Sequence, residues 1–333
     1  MNREPFRALV VGESEPNIFT RHITHKSLDD LPPGDVLIEV YYSSLNYKDA
    51  LSASGNKGVT KRYPHTPGID AAGVVAESVS NAFRPGDEVL VTGYDLGSNT
   101  SGGFGGYIRV PAGWVVNLPT HLSLRESMVY GTAGFTAALG LHKLMQHDIV
   151  PDQGPVLVTG ATGGVGSIAV AMLAKTGYHT VAATGKMEEK QFLIDLGARD
   201  VISRTDATDT SQKALLPGRW NGVIDTVGGD MLATAIKSTR THGAIATCGN
   251  VAGPELRTTV FPFILRGVSL LGIDSANTPM ALRQEIWQKI STEWKLDNAD
   301  RLTSEISLDE VGEYFERILE GTLKGRVIVN LKR

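Results

Sequence analysis

The sequence predicts an α/β fold: a doubly wound parallel sheet of six strands, inserted in a β-rich domain that reads as a partly open barrel. Three observations carry that expectation. An apolar run, Pro155-Val156-Leu157-Val158, enters a glycine-dense turn, Thr159-Gly160-Ala161-Thr162-Gly163-Gly164-Val165-Gly166, and then a compact helical pattern over 168–177. Strand-like runs at 156–159, 179–183, 200–203, 222–225, 243–247 and 268–272 alternate with helical ones, as in a parallel sheet with crossover helices. Finally, residues 325–329 read as a strand far from the β-rich region in sequence, so the nucleotide-type domain is expected to be an insertion.

Before the glycine turn, short strand patterns lie at 8–11, 36–40, 73–76, 88–91, 107–110 and 114–116. Turn signals such as Pro32-Pro33-Gly34-Asp35 and Arg84-Pro85-Gly86-Asp87 separate them. The run Gly102-Gly103-Phe104-Gly105-Gly106 has a phosphate-loop composition but opens no helix, and it reads as a turn. From Met128 the texture becomes small, apolar and helical over 130–141; the tail from 277 carries one or two helices before its strand. The expected domains are 1–126 with 277–333, and 127–276.

Composition narrows the function. With 333 residues the chain exceeds one ordinary core, so two domains are expected. Lys plus Arg is 32 against 36 Asp plus Glu, a net charge of −4, which argues against a nucleic-acid partner. Cys248 is the single cysteine, so neither an intrachain disulfide framework nor a cysteine zinc cluster can form. No stretch reads as a signal peptide or reaches membrane-spanning length, so no membrane partner and a cytoplasmic location are expected.

A strand, a glycine turn and a helix form the context that holds a dinucleotide. Small residues admit the pyrophosphate, and the helix N-terminus offers free N–H groups. Gly160, Thr162, Gly163, Gly164, Val165 and Gly166 are the candidates. The next strand ends in Thr184-Gly185-Lys186, where an NAD site would usually carry an acid for the ribose 2′-hydroxyl. No acid occurs before Glu188, and Arg204 follows the third strand. A hydroxyl and two cations at consecutive strand ends suit a 2′-phosphate, so NADP(H) is the expected cofactor. The same glycines fit a short-chain dehydrogenase, but that class needs them near the start, with Tyr-x-x-x-Lys after them. Neither Tyr178 nor Tyr314 has Lys four residues on.

Over nearly its whole length the chain resembles the medium-chain dehydrogenase/reductases, and more narrowly their zinc-free YhdH/YhfP quinone-oxidoreductase group, which includes the acrylyl-CoA reductases. Ser43-Ser44-Leu45-Asn46-Tyr47-Lys48-Asp49, Pro67-Gly68-Ile69-Asp70, Gly131-Thr132-Ala133-Gly134, the glycine turn, Asp225-Thr226-Val227-Gly228-Gly229 and Pro262-Phe263-Ile264-Leu265-Arg266-Gly267 carry the resemblance. It implies a Rossmann domain inserted in a GroES-like barrel domain. It also implies that Tyr47 touches the cofactor, that Asn250, Ile264 and Ser275 lie near it, and that homodimers form through the strand at 268–273. Zinc members carry Gly-His-Glu where this chain has Gly68-Ile69-Asp70, and an early cysteine where it has Asn46 to Asp49. No set of three ligands is evident, so a metal-free enzyme is expected.

Without a metal to polarise an alcohol, hydride must pass to an already electrophilic carbon, as in an enone, a quinone or an unsaturated thioester. Asn46 and Tyr47 are expected to donate hydrogen bonds and Asp49 to orient a neighbour; the resemblance implies that Tyr47 supplies the proton, the alternative being a tyrosine wall against the nicotinamide with the proton drawn from solvent. For a CoA ester, Lys57, Lys61, Arg62 and Arg326 are candidate cations at the cleft mouth. The alternative is a non-catalytic NADPH-binding sensor or structural protein on the same fold.

Overall fold

The computed structural model describes residues 5–211 and 213–333. Its first unit runs to Thr132 and includes Ala276–Ser291 and Asn298–Arg333. Its strands are β1 (Phe6–Glu15), β2 (Ile18–Lys26), β3 (Val36–Ser44), β4 (Asp70–Ser78), β5 (Glu88–Thr92), β6 (Tyr107–Val110) and β7 (Val116–Asn117), and from the tail β14 (Thr303–Ser307) and β15 (Arg326–Asn330). β1 and β2 form an antiparallel hairpin. The others make a sheet ordered β14-β15-β3-β4-β5-β7, with β6 added on β3. The tail strand returns to this unit: β15 runs antiparallel to β3, with Ile328 opposite Ser44 and Val329 opposite Ser43.

Helix α1 (Tyr47–Ala53) leaves the end of β3, and α8 (Val311–Leu319) packs its Val311 and Phe315 into the same core as Ala50 and Ala53. Each large apolar side chain buried in this way contributes about 1.5–3 kcal/mol. Two strands, β2 and β14, were not legible as such. β2 reads Ile-Phe-Thr-Arg-His-Ile-Thr-His-Lys; only Phe19 and Ile23 pack against the core, among polar residues, so it lacks the alternation that marks a half-buried strand.

The second unit comprises Ala133–Ser275 and Thr292–Asp297. Its strands are β8 (Val156–Val158), β9 (Thr180–Thr184), β10 (Asp200–Ser203), β11 (Trp220–Asp225), β12 (Thr239–Thr247) and β13 (Ser269–Gly272). They lie in the order β10-β9-β8-β11-β12-β13 with every pair parallel, the doubly wound arrangement expected. Crossovers use α3 (Gly164–Lys175), α4 (Lys190–Asp195), α5 (Gly229–Ser238) and α6 (Phe261–Arg266). α2 (Leu124–Gln146) breaks at Gly131, whose φ of 50° and ψ of −154° are open to glycine alone, and α7 (Met280–Ser291) begins the tail. Among the described residues no helix is long and apolar enough to cross a membrane.

Candidate active site

In the second unit the glycine turn sits where strand order reverses, between β8 and β11. Thr159, next after β8, gives its hydroxyl to the buried Asp225 at 2.7 Å, and Thr226 returns a hydroxyl to the Thr159 carbonyl at 2.8 Å. Asp225 also accepts from Thr247 Oγ1 at 3.0 Å and the Gly228 amide at 3.1 Å, so one carboxylate ties the ends of three strands. Burial raises its pKa against those donors, and burial with the Asp225 charge pushes the Cys248 thiol up to about 12.

Helix α3 starts at Gly164 with Gly163 as its N-cap, and a helix leaves its first amides without intrahelical partners. The helix lies so close to the turn that a Cβ on Gly166 would come within 2.8 Å of Ala161 Cα. A cradle of backbone amides with no side chain in it fits a pyrophosphate. One strand over, the Thr184 hydroxyl lies 3.3 Å from that of Thr162 and accepts the Lys186 amide at 2.9 Å. The Arg204 amide donates to the Thr184 carbonyl at 2.8 Å, and its guanidinium folds against Gly185, where a Cβ would stand 2.7 Å from Nη2. Arg204 is exposed and forms no ion pair among the described residues; Lys186 is half-buried. The fold thus brings Thr184, Gly185, Lys186 and Arg204 to one spot. Asn250 is exposed in the loop after β12, its Cα 3.3 Å from where a Gly228 Cβ would be. Ile264 is exposed on α6, and Ser275 follows β13 half-buried.

In the first unit, Asn46 is the N-cap of α1, and Asp49 at its third position accepts the Asn46 amide at 2.8 Å, one half of a capping box. The other Asp49 oxygen accepts the amides of Ile69 at 2.8 Å and Gly68 at 3.2 Å. Asp49 therefore orients backbone, not a neighbouring side chain. Burial first, then the nearby Asp70 charge, raise its pKa to about 7. Asn46 departs from expectation as well. Its Nδ2 donates to Asp70 Oδ2 at 2.8 Å and to the Ser44 carbonyl at 3.1 Å, so both amide hydrogens are engaged and none remains for an acceptor. Tyr47, the first residue of α1, is half-buried, and among the described residues its hydroxyl has no hydrogen-bond partner.

Arg326 overturns another expectation. Instead of a cation at a cleft mouth, it is 2% exposed, and its guanidinium reaches Ser44 Oγ, Val129 O and Leu45 O at 2.8–3.2 Å. Asp70, also fully buried, accepts from Ser44 Oγ at 2.5 Å and from the Thr132 hydroxyl and amide at 2.6 and 2.9 Å. Ser44, Asp70 and Thr132 are site-adjacent residues that sequence reasoning did not single out for a role, and Arg326 was singled out for a different one. The only signal for Ser44, Asp70 and Thr132 was a place inside three of the family motifs. Lys57 is also committed elsewhere, paired with Glu13 at 2.6 Å and lying over the rings of Phe19 and Tyr63. Among the described residues no three of His, Cys, Asp and Glu gather as a metal ion would require.

Comparison with known proteins agrees with this architecture. Residues 32–120 match the alcohol dehydrogenase GroES-like domain and residues 164–292 the zinc-binding dehydrogenase domain. Over 327 residues, 98% of this chain and 99% of the relative, the sequence is 47% identical to YhfP of Bacillus subtilis, which is named as a quinone oxidoreductase. Over the same shares it is 41% identical to the acrylyl-CoA reductase AcuI of Ruegeria pomeroyi. Among solved structures, YhdH oxidoreductase of Salmonella enterica in complex with NADP superposes with a TM-score of 0.95 at 40% identity, covering 98% of this chain and all of the other. Bacillus subtilis YhfP with NAD bound gives 0.95 at 46% identity, over 98% and 99% of the two chains. With such relatives matched end to end, the chain belongs to the medium-chain dehydrogenase/reductase family, in its YhdH/YhfP group of quinone oxidoreductases and acrylyl-CoA reductases.

Proposed function

We propose that this protein is a metal-free NADPH-dependent reductase that adds hydride to a carbon–carbon double bond conjugated to a carbonyl, an acrylyl-CoA-like thioester first among the acceptors, with enones and quinones beside it. The observation that carries the reading is the glycine cradle at the head of α3 with cations at the ends of β9 and β10; in the other unit the half-buried Tyr47 hydroxyl at the head of α1 has no hydrogen-bond partner among the described residues. When bound, NADPH supplies the hydride.

This chain's own residues do the rest. The amides at the start of α3 take the pyrophosphate, and Lys186 and Arg204 take the 2′-phosphate. Tyr47 donates its hydroxyl to the acceptor carbonyl as negative charge gathers there, or passes its proton to the carbon next to it. Asn46 and Asp49 are positioning residues that fix the turn on which Tyr47 stands. The GroES-like and Rossmann relatives named for quinone and acrylyl-CoA chemistry support the acceptor class. Steady NADPH oxidation across a panel of unsaturated CoA esters, enones and quinones tests the proposal. Turnover with at least one conjugated acceptor is expected; tight NADPH binding with no turnover on any would leave the non-catalytic alternative.

A further inference from the structure

A buried charged cluster lies behind the head of α1, and it has no counterpart in the roles assigned so far. Its centre is the Asp70 carboxylate at the start of β4, which collects donors from three other segments: Ser44 Oγ at the end of β3, Asn46 Nδ2 at the N-cap of α1, and the Thr132 amide and hydroxyl just past the break in α2. Arg326, the first residue of β15, does not bond the carboxylate directly. Its Nη2 donates to Ser44 Oγ at 2.8 Å, and that hydroxyl donates onward to Asp70 at 2.5 Å, so a guanidinium, a hydroxyl and a carboxylate stand in series. Arg326 Nη1 also reaches Asn46 Oδ1 at 3.4 Å. The Asn46 side chain is thereby gripped from both ends, at its amide nitrogen by Asp70 and at its oxygen by Arg326.

Two features argue that the cluster does more than hold the fold. Apolar residues of similar volume would pack such a site with equal or better stability, because the desolvation of buried charges consumes most of their mutual attraction. The backbone is also bent to serve it. α2 breaks at Gly131, and a Cβ there would stand 2.5 Å from both Asp70 Oδ2 and Ser44 Oγ, so the break exists where the cluster needs room. Every contact of Asn46 converges on the residue that caps α1, and the next residue is Tyr47.

We propose that Ser44, Asp70 and Arg326 are positioning residues for Tyr47: the series from guanidinium through hydroxyl to carboxylate clamps Asn46 and thereby sets the place of the tyrosine hydroxyl. The inference rests on Tyr47 acting at the acceptor. Removing Arg326 or Asp70 outright would leave the other charge buried and unpaired, and such a variant could fail to fold. Ser44→Ala is the sharper probe, since it removes the bridging hydroxyl and keeps both charges.

The test is a double-mutant cycle in the full-length protein, with Ser44→Ala, Tyr47→Phe and the pair, reading kcat and KM with the best acceptor and the NADPH dissociation constant by fluorescence. A displacement of reacting groups by 1 Å can cost about 100-fold. Ser44→Ala should lower kcat about 10- to 100-fold beside Tyr47 and less than about 3-fold in the Tyr47→Phe background, with NADPH affinity unchanged in both. An equal loss in both backgrounds would mean a general structural role and would overturn the inference. So would a Ser44→Ala enzyme with unaltered kcat. If Tyr47→Phe alone leaves kcat untouched, the role of Tyr47 in the proposed function fails and this inference fails with it, a pattern distinct from the first two.

Discussion

Replacing both Lys186 and Arg204 with alanine should convert the protein from an NADPH binder into one that barely distinguishes the two nicotinamide cofactors. Arg204 lies exposed against Gly185, and Lys186 stands half-buried on the turn that Thr184 closes. A charge-assisted hydrogen bond contributes about 1.5–3 kcal/mol, or one to two decades in affinity. The exposure of Arg204 and screening by salt place each contact near the lower end of that range. The pair should therefore raise the NADPH dissociation constant about 100-fold, and NADH, which has no 2′-phosphate, should change less than about 2-fold. Titration of reduced-nicotinamide fluorescence at fixed ionic strength measures both, and the NADPH effect should shrink as salt rises. Equal weakening of NADPH and NADH would refute the reasoning and make these residues structural supports of the β9 and β10 ends.

Other outcomes follow from the same geometry. Tyr47→Phe should lower kcat and kcat/KM together, by about 10²–10⁴-fold if the hydroxyl is the essential acid; a rise in the NADPH dissociation constant with little change in kcat would make the ring a wall for the cofactor instead. Asp49 titrates at about 7 in the folded protein and near 4 when unfolded, so the native state binds the extra proton between those values. Its contribution to stability is complete below that window, is lost as pH rises through about 7, and stays level above it. The melting-temperature difference between wild type and Asp49→Asn should follow that slope, and a pH-independent difference would contradict it. β13 pairs with β12 on one side and with no strand among the described residues on the other, while Leu270 and Leu271 are half-exposed. An apolar edge of this kind should be covered by a second copy, giving a homodimer by sedimentation at micromolar concentration; a monomer would mean another cover.

Much of the fold was legible because it is written in local patterns. The β8 run, the glycine turn and the alternation of apolar strands with helices lie within a few residues of one another, and all six parallel strands stand where those runs are. β2 escaped because only Phe19 and Ile23 touch the core, and a mostly polar hairpin arm carries little period-two signal. The grouping of Thr184, Gly185, Lys186 and Arg204 was legible for the same local reason. Arg204 lies against Gly185 because β10 pairs with β9 with Ser203 opposite Thr184, a register the structure supplies. The cluster in the first unit was not legible. Asp70 and Ser44 are 26 residues apart, and Arg326 reaches Ser44 across 282 residues, a separation no motif spacing reports. A lone arginine in a sequence reads as surface charge, and only the return of β15 to β3 turns Arg326 into a buried one.

The central claim is that hydride from NADPH enters a conjugated carbon–carbon double bond. The most direct measurement supplies NADPH deuterated at the transferred C4 position, with acrylyl-CoA as acceptor, and reads the product by mass spectrometry and NMR. The account predicts propionyl-CoA with one deuterium on the carbon distal to the thioester and a solvent-exchangeable proton origin at the adjacent carbon. Product lacking that deuterium, or NADPH oxidised while acrylyl-CoA stays unreduced, would contradict it.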